Sequence, residues 1–344
     1  MAEAEPRVLH VLAHPGGGGE EYARLLEGMP GFRFARFHLT ERGRPLETPV
    51  GAARLRRAAR GCDLLHVHGD SAALVSLPAT GGAPTVVTLH GSHLLRRARG
   101  IRGRAVRTGL RRALGRAEAV IAVSESELAK ARELLGPDSR LVLIHNGVPA
   151  REPVGDDERL AAREALGLRP GTVAALFVGE LSERKQPAEF ADAVRRARAA
   201  NPAIVGLLAG DGPLRPELEA SADEGVRLLG HRGDVRALLA AADVFVLPSL
   251  WEGLPYAVLD AMALGVATLV SDGPGNPDAV GETGLVFPAG DTSAMSSALG
   301  RLAGDSELRQ SLGRAGAARA RERFSLASML ERTAGVYESI LAAR

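Results

Sequence analysis

Two carboxylates eight residues apart, Glu252 and Asp260, stand in the stretch WEGLPYAVLDAMALGVATLV, residues 251–270. The apolar run DVFVLP (243–248) before them reads as a buried parallel strand, and VATLVSD (266–272) after them as another. Between these runs lie a turn, a helix beginning near Pro255 and a stop at Gly265, so the segment reads as a βαβ unit. Ligands bind such units beyond the carboxyl ends of the strands. The helix start offers free N–H groups and partial positive charge to a phosphate. Glu252 shares that turn and cannot favour the phosphate. Sugar hydroxyls suit it, because an ionised carboxylate only accepts hydrogen bonds and a sugar is rich in donors. A turn serving both a phosphate and a sugar points to a nucleotide sugar.

A second candidate is a lysine. Of 43 basic residues, 41 are arginine; the two lysines are Lys130 and Lys185. A chain that writes arginine almost everywhere keeps Lys185 inside FVGELSERKQP (177–187). A compact ammonium meets phosphate differently from a planar guanidinium. The run HPGGGGE (14–20), with Gly18 and Gly19, lets backbone N–H groups approach a ligand closely. Four consecutive glycines are not the G-x-G-x-x-G spacing of a dinucleotide site. TLHGSH (88–93) puts His90 at a strand end, where a polar side chain faces the ligand side of an α/β sheet. His66 and His68 share a strand face, but no third or fourth ligand is evident, so no metal is expected. Ser124 and Glu127 form a capping box, and Asn146-Gly147 is a turn signal.

The elements that position these residues fall into two series, similar in class but without an internal sequence repeat. Strands are expected at 7–13, 32–38, 64–68, 84–89, 119–123 and 141–145, with helices near 20–28, 50–59, 70–78, 103–115 and 125–135. A second series of strands falls near 173–178, 204–209, 226–229, 243–248 and 267–271, and helices follow from about 291. Alternating strands and helices imply parallel sheets covered on both faces. The Pro-, Gly- and charge-rich stretch 147–160 reads as a linker. A length of 344 residues favours two domains. One cysteine, Cys62, excludes an internal disulfide. With no basic leader and no long apolar run near the N-terminus, a cytoplasmic location is expected.

Charge is uneven: residues 1–150 hold 22 basic and 14 acidic side chains, against 21 and 27 in residues 151–344. The first half therefore favours an anionic partner or surface. Residues 94–116 hold nine arginines and no acid, with Leu94, Leu95, Ile101, Val106, Leu110 and Leu114 among them. Val106, Leu110 and Leu114 recur at helical spacing, so the segment is expected to lie on an anionic membrane, apolar side down, at its inner face; the alternative is a solvated surface helix in an arginine-biased chain. No nucleic-acid partner is expected.

Together GGGGE (16–20), TLHG (88–91), AVSES (122–126), IHNGV (144–148), FVGELSERKQP, LAGDGPL (208–214), EGLPYAVLDAMALG (252–265) and TGLVFPAGD (283–291) resemble glycosyltransferase family 4. The resemblance covers nearly the whole chain. It implies an α/β chain with the GT-B fold: two facing Rossmann-like domains with parallel sheets and an active-site cleft between them. The expected domains are 1–150 on the acceptor side and 151–324 on the donor side, with a helix at 325–344 returning to the first. It implies a retaining, hexosyltransferase-type reaction in cell-envelope, glycolipid or polysaccharide synthesis, without metal or other cofactor. The donor is a nucleoside-diphosphate sugar and the acceptor a sugar, lipid or polyprenyl carrier.

The resemblance also assigns roles. Glu252, His90 and Lys185 are the catalytic candidates. Gly18, Gly19, Lys185, Arg184, Gly253, Leu254, Pro255, Asp260, His231 and Arg232 are the donor-binding candidates. His90 contacts the donor sugar, Lys185 the diphosphate, Asp260 the ribose hydroxyls, and His231 and Arg232 neighbour the base. The chain departs from the family pattern at Glu180, where arginine is usual, and at Asp260 and Asp278, where glutamate is usual. These departures keep a catalytically weak nucleotide-sugar-binding protein as an alternative. The other is an epimerase or nicotinamide-dependent enzyme on a similar fold.

Overall fold

A computed structural model describes residues 5–40, 48–80 and 82–344. They form two compact units: Met1–Gly147 with Leu326–Arg344, and Val148–Ser325.

The first unit is a six-stranded parallel sheet of β1 (Arg7–Leu12), β2 (Arg33–His38), β3 (Leu64–His68), β4 (Thr85–Leu89), β5 (Ala119–Ala122) and β6 (Leu141–Leu143). The order is β2-β1-β3-β4-β5-β6. Strands β3, β4 and β5 are buried along their whole length, as sheets covered on both faces require. The helix Leu326–Ala342 belongs to this unit. Its Tyr337 is fully buried, and its Met329 sulfur accepts from the Gly147 N–H at 3.1 Å.

The second unit is a parallel sheet of β7 (Val173–Val178), β8 (Ile204–Ala209), β9 (Val226–Gly230), β10 (Val244–Leu247), β11 (Ala267–Ser271) and β12 (Leu285–Phe287). Its order, β12-β11-β10-β7-β8-β9, runs outward one way from β7 and the other way from β10. Neighbouring loops at β7 and β10 therefore diverge to opposite faces, opening the crevice in which open α/β sheets hold ligands.

Two expectations need correction. The stretch 147–160 is not all linker: Asp156–Ala165 is a helix, with Asp156, Asp157 and Glu158 in its first turn, where the helix dipole favours anions. The helix Gly100–Leu114 does not offer its apolar side to a membrane: Leu110, Ala113 and Leu114 are buried in the core of the first unit. Its arginines, Ala105, Thr108 and Ile101, 78% exposed, remain outside, and Val106 is half-buried. The terminal helices begin at Thr292, as expected, and a short strand that the sequence reading did not find, β12, precedes them. Among the described residues no helix is long and apolar enough to cross a membrane.

Candidate active site

The switch point of the second unit gathers the residues with chemistry. The loop after β7 carries Arg184 and Lys185; the turn after β10 carries Glu252. Backbone bonds fix the first loop against the turn after β8: Leu181 N–H donates to Asp211 O, and Leu214 N–H to Leu181 O, both at 2.9 Å. Gly210 permits this, since a Cβ there would collide with the Gly179 carbonyl. The loop then turns sharply through Gln186, φ +53°. Gln186 and Ser92 are the only described non-glycine residues with positive φ, and each follows a candidate site residue closely. Such strain collects where the surroundings over-determine the backbone. The turn of Glu252 is tied down by its N–H, which donates to Pro274 O at 2.8 Å.

Glu252 joins both cations. Its Oε1 lies 2.7 Å from Lys185 Nζ and 2.8 Å from Arg184 Nη1, and all three side chains are largely buried. Arg184 also donates to Trp251 O at 3.1 Å, and the Leu250 N–H donates to Arg184 O. Burial pushes the Glu252 carboxyl up, but the Lys185 and Arg184 charges outweigh it and hold it at about 2. Burial pushes the Lys185 ammonium down, with the Glu252 charge working against that. The cluster carries two cations to one anion, so it is a positive centre in a low-dielectric setting.

The remaining donor-side candidates divide. Gly253, Leu254 and Pro255 are buried and lead directly into the helix Tyr256–Ala263, with Pro255 at its N-cap. Asp260, inside that helix, is paired with Arg151 at 3.2 Å. His231 is exposed, and Arg232 forks onto Asp234 at the surface. Glu180 is exposed and turned to solvent, although Lys185 senses its charge. Asp278 opens the short helix Asn276–Val280, and Arg319 donates to its carbonyl.

In the first unit, Gly18 and Gly19 open the helix Gly18–Leu26 after β1. A Cβ on Gly19 would stand 3.6 Å from both His68 and His90. His90, half-buried after β4, meets the Tyr22 ring edge-on at 5.0 Å. Behind it lies a histidine row that sequence reading found only in part. His10 on β1 is in register with His66 on β3. His10 Nδ1 lies 2.9 Å from His68 Nε2, and His68 Nδ1 lies 3.2 Å from His90 Nε2. His66 bonds Tyr337 and Thr88 with its two nitrogens. Burial drives all four imidazoles down, His10 to about 4 and His90 to about 3, so they are neutral at pH 7. Nitrogens of His10, His66 and His68 lie within 4.8 Å of one another. Both His66 nitrogens already have partners in Tyr337 and Thr88, and its ring stacks on His68.

A second buried group was also missed. Ser124 caps the helix Glu125–Leu135 as expected, but the Glu127 side chain does not reach back to the cap. Its carboxylate accepts from Ser92 Oγ at 2.6 Å and pairs with Arg96 at 3.3 Å. Burial pushes both Glu127 and the neighbouring Asp70 up.

Two doubly wound parallel sheets, one with a cation–carboxylate cluster at its switch point, define an α/β protein of the GT-B class. Comparison with known proteins agrees. Residues 6–152 match the family described as Glycosyltransferase Family 4, and residues 172–305 match Glycosyl transferases group 1. The chain belongs to glycosyltransferase family 4. It is 32% identical over 262 residues to alpha-maltose-1-phosphate synthase of Mycolicibacterium smegmatis, covering 67% of this chain and 66% of that one. It is 34% identical over 154 residues to UDP-Gal:alpha-D-GlcNAc-diphosphoundecaprenol alpha-1,3-galactosyltransferase of Escherichia coli, covering 42% and 40%. The matches thus span less than two thirds of either relative. Among solved structures, Anabaena HepE in complex with UDP and glucose is similar in fold, with TM-score 0.79 and 20% identity over 96% of this chain and 99% of that one.

Proposed function

We propose that this protein transfers a sugar from a nucleoside-diphosphate sugar to an acceptor hydroxyl, with retention of anomeric configuration. The observation that carries the proposal is the buried Arg184–Glu252–Lys185 cluster at the switch point of the second unit. The leaving group of such a reaction is a diphosphate, so the main task is to stabilise negative charge as the glycosidic bond breaks. Lys185 and Arg184 supply fixed positive charge. The start of the helix Tyr256–Ala263, reached through Gly253, Leu254 and Pro255, adds N–H donors. Glu252 keeps both cations ordered before the donor arrives and offers its carboxylate to sugar hydroxyls. His90, neutral, bonds the donor sugar without adding charge. No side chain is assigned as nucleophile: the departing phosphate takes the acceptor proton on the same face. Metal is not required in this scheme, because side chains and a helix terminus perform the task.

Asp260 serves the ribose hydroxyls, with Arg151 orienting its carboxylate. The acceptor is a sugar or lipid-linked carrier in cell-envelope synthesis, a reading supported by the relative whose name specifies an undecaprenol diphosphate acceptor. The exposed arginines of Gly100–Leu114 draw the first unit to an anionic surface by charge alone, since the helix's apolar side is spent on the core. A thermal-shift screen against nucleoside diphosphates and their sugars tests the donor assignment. A specific ligand at about 100 Kd stabilises by roughly 2.7 kcal/mol. A shift with one nucleoside diphosphate is expected; none with any member of the panel contradicts the proposal.

A further inference from the structure

The first unit contains a linear chain of imidazoles that ends at His90. His10 is fully buried and stacks on Phe34 at 5.2 Å. Its Nδ1 contacts His68 Nε2, and His68 Nδ1 contacts His90 Nε2. All three rings are neutral at pH 7, so each has one N–H and one bare nitrogen. Each contact needs one of either kind. The three tautomers are therefore linked: all carry the proton on Nδ1, or all carry it on Nε2.

The buried end sets the sense. His10 Nε2 is buried and has no hydrogen-bond partner. With the proton on Nε2 throughout, that atom would be an orphaned buried N–H, the rarer defect in folded proteins. With the proton on Nδ1 throughout, it is a bare lone pair. Each ring then donates toward His90, whose own Nδ1–H is left to point onward.

We infer that His10 and His68 are positioning residues that lock His90 in its Nδ1–H tautomer, so that it presents a hydrogen-bond donor to an oxygen of the bound sugar. The consequence for the sugar rests on the role proposed for His90; the tautomer lock does not. A donor fixed in advance has no tautomer to select when ligand arrives. Gly19 lies against this chain: a Cβ there would make ordinary van der Waals contact, at 3.6 Å, with both His68 and His90.

NMR of the full chain at neutral pH, with isotope-labelled histidine ring nitrogens, tests this directly. The His90 signals are assigned by their loss in His90→Gln. In the wild type, His10, His68 and His90 should each show a protonated Nδ1 and a bare Nε2. His10→Phe, which keeps the stacked ring, and His68→Leu should each turn His90 into a tautomer mixture. A merely structural role for His10 would not move these signals. A wild-type His90 that is mixed or protonated on Nε2 overturns the inference, as does a His90 unchanged in either variant. Should a variant fail to fold, the wild-type pattern alone decides.

Turnover separates the two readings. A locked tautomer, with His10→Phe lowering kcat/KM by up to about tenfold, the worth of one neutral hydrogen bond, supports both. A locked tautomer with unchanged turnover in His90→Gln leaves the lock standing and removes His90 from the sugar site.

Discussion

Lys185 Nζ lies 2.7 Å from Glu252 Oε1, and the pair joins the loop after β7 to the turn after β10. Sequence alone paired Glu252 with sugar hydroxyls and Lys185 with phosphate. The structure makes each the other's counterion. Glu252 therefore has a structural burden as well as the proposed chemical one.

Glu252→Gln should cost stability as well as rate. It leaves two largely buried cations without their anion, and breaking such a pair typically costs about 3–5 kcal/mol. The wild-type contribution is present above the ordinary carboxyl pKa near 4.5 and is lost as pH falls toward about 2. Denaturant unfolding should show a clear loss at pH 7 that shrinks in acid. A variant as stable as the wild type at pH 7 contradicts the pairing.

Lys185→Ala should weaken a nucleoside diphosphate more than the matching nucleoside. A charge-assisted bond to phosphate contributes roughly 1.5–3 kcal/mol, about 10- to 100-fold in Kd. Calorimetry with both ligands reads the difference. Equal losses would make the lysine structural.

How much was legible follows from what carries the signal. Strands β3, β4, β7, β8 and β10 announce themselves as short apolar runs, because parallel sheets are buried on both faces. The three residues of β12 are too few to show a pattern. The apolar positions Val106, Leu110 and Leu114 showed an amphipathic helix, but periodicity does not say whether protein or lipid covers the face. His10 was passed over because its partners are strand neighbours 56 and 58 positions away. The alternation HVH at 66–68 was its one sequence trace, and reading β1 in register with β3 would have supplied the third ring. Arg151 was hidden for the same reason, 109 positions from Asp260.

The buried histidines predict acid sensitivity. His10 has its pKa lowered to about 4, whereas unfolded it titrates near 6.5. The unfolded chain thus binds more protons between these values, so stability rises with pH there and is complete above about 6.5. His10 alone contributes about 3 kcal/mol across that window, and His66, His68 and His90 act in the same direction. Urea unfolding from pH 7.5 down to pH 4.5 should show falling stability, with a shallower fall in His10→Phe. Identical slopes would show that His10 is protonated in the fold.

Anionic liposomes should bind more protein than neutral ones at low salt, and the difference should fade as salt rises, since screening shortens to about 8 Å at 0.15 M. Replacing the exposed Arg102, Arg104 and Arg111 with glutamate should abolish the excess without unfolding the protein. Equal binding to both liposomes favours a soluble acceptor.

The most direct measurement is release of nucleoside diphosphate from a panel of labelled donor sugars, with excess chelator present and cell-envelope lipid extract as acceptor. The account predicts turnover with at least one donor, undiminished by chelator, an axial-to-axial or equatorial-to-equatorial product, and a ~100- to 1,000-fold loss in Glu252→Gln, about 3–4 kcal/mol of transition-state stabilisation. Near-normal turnover in a folded Glu252→Gln variant, or an inverted product, would contradict it.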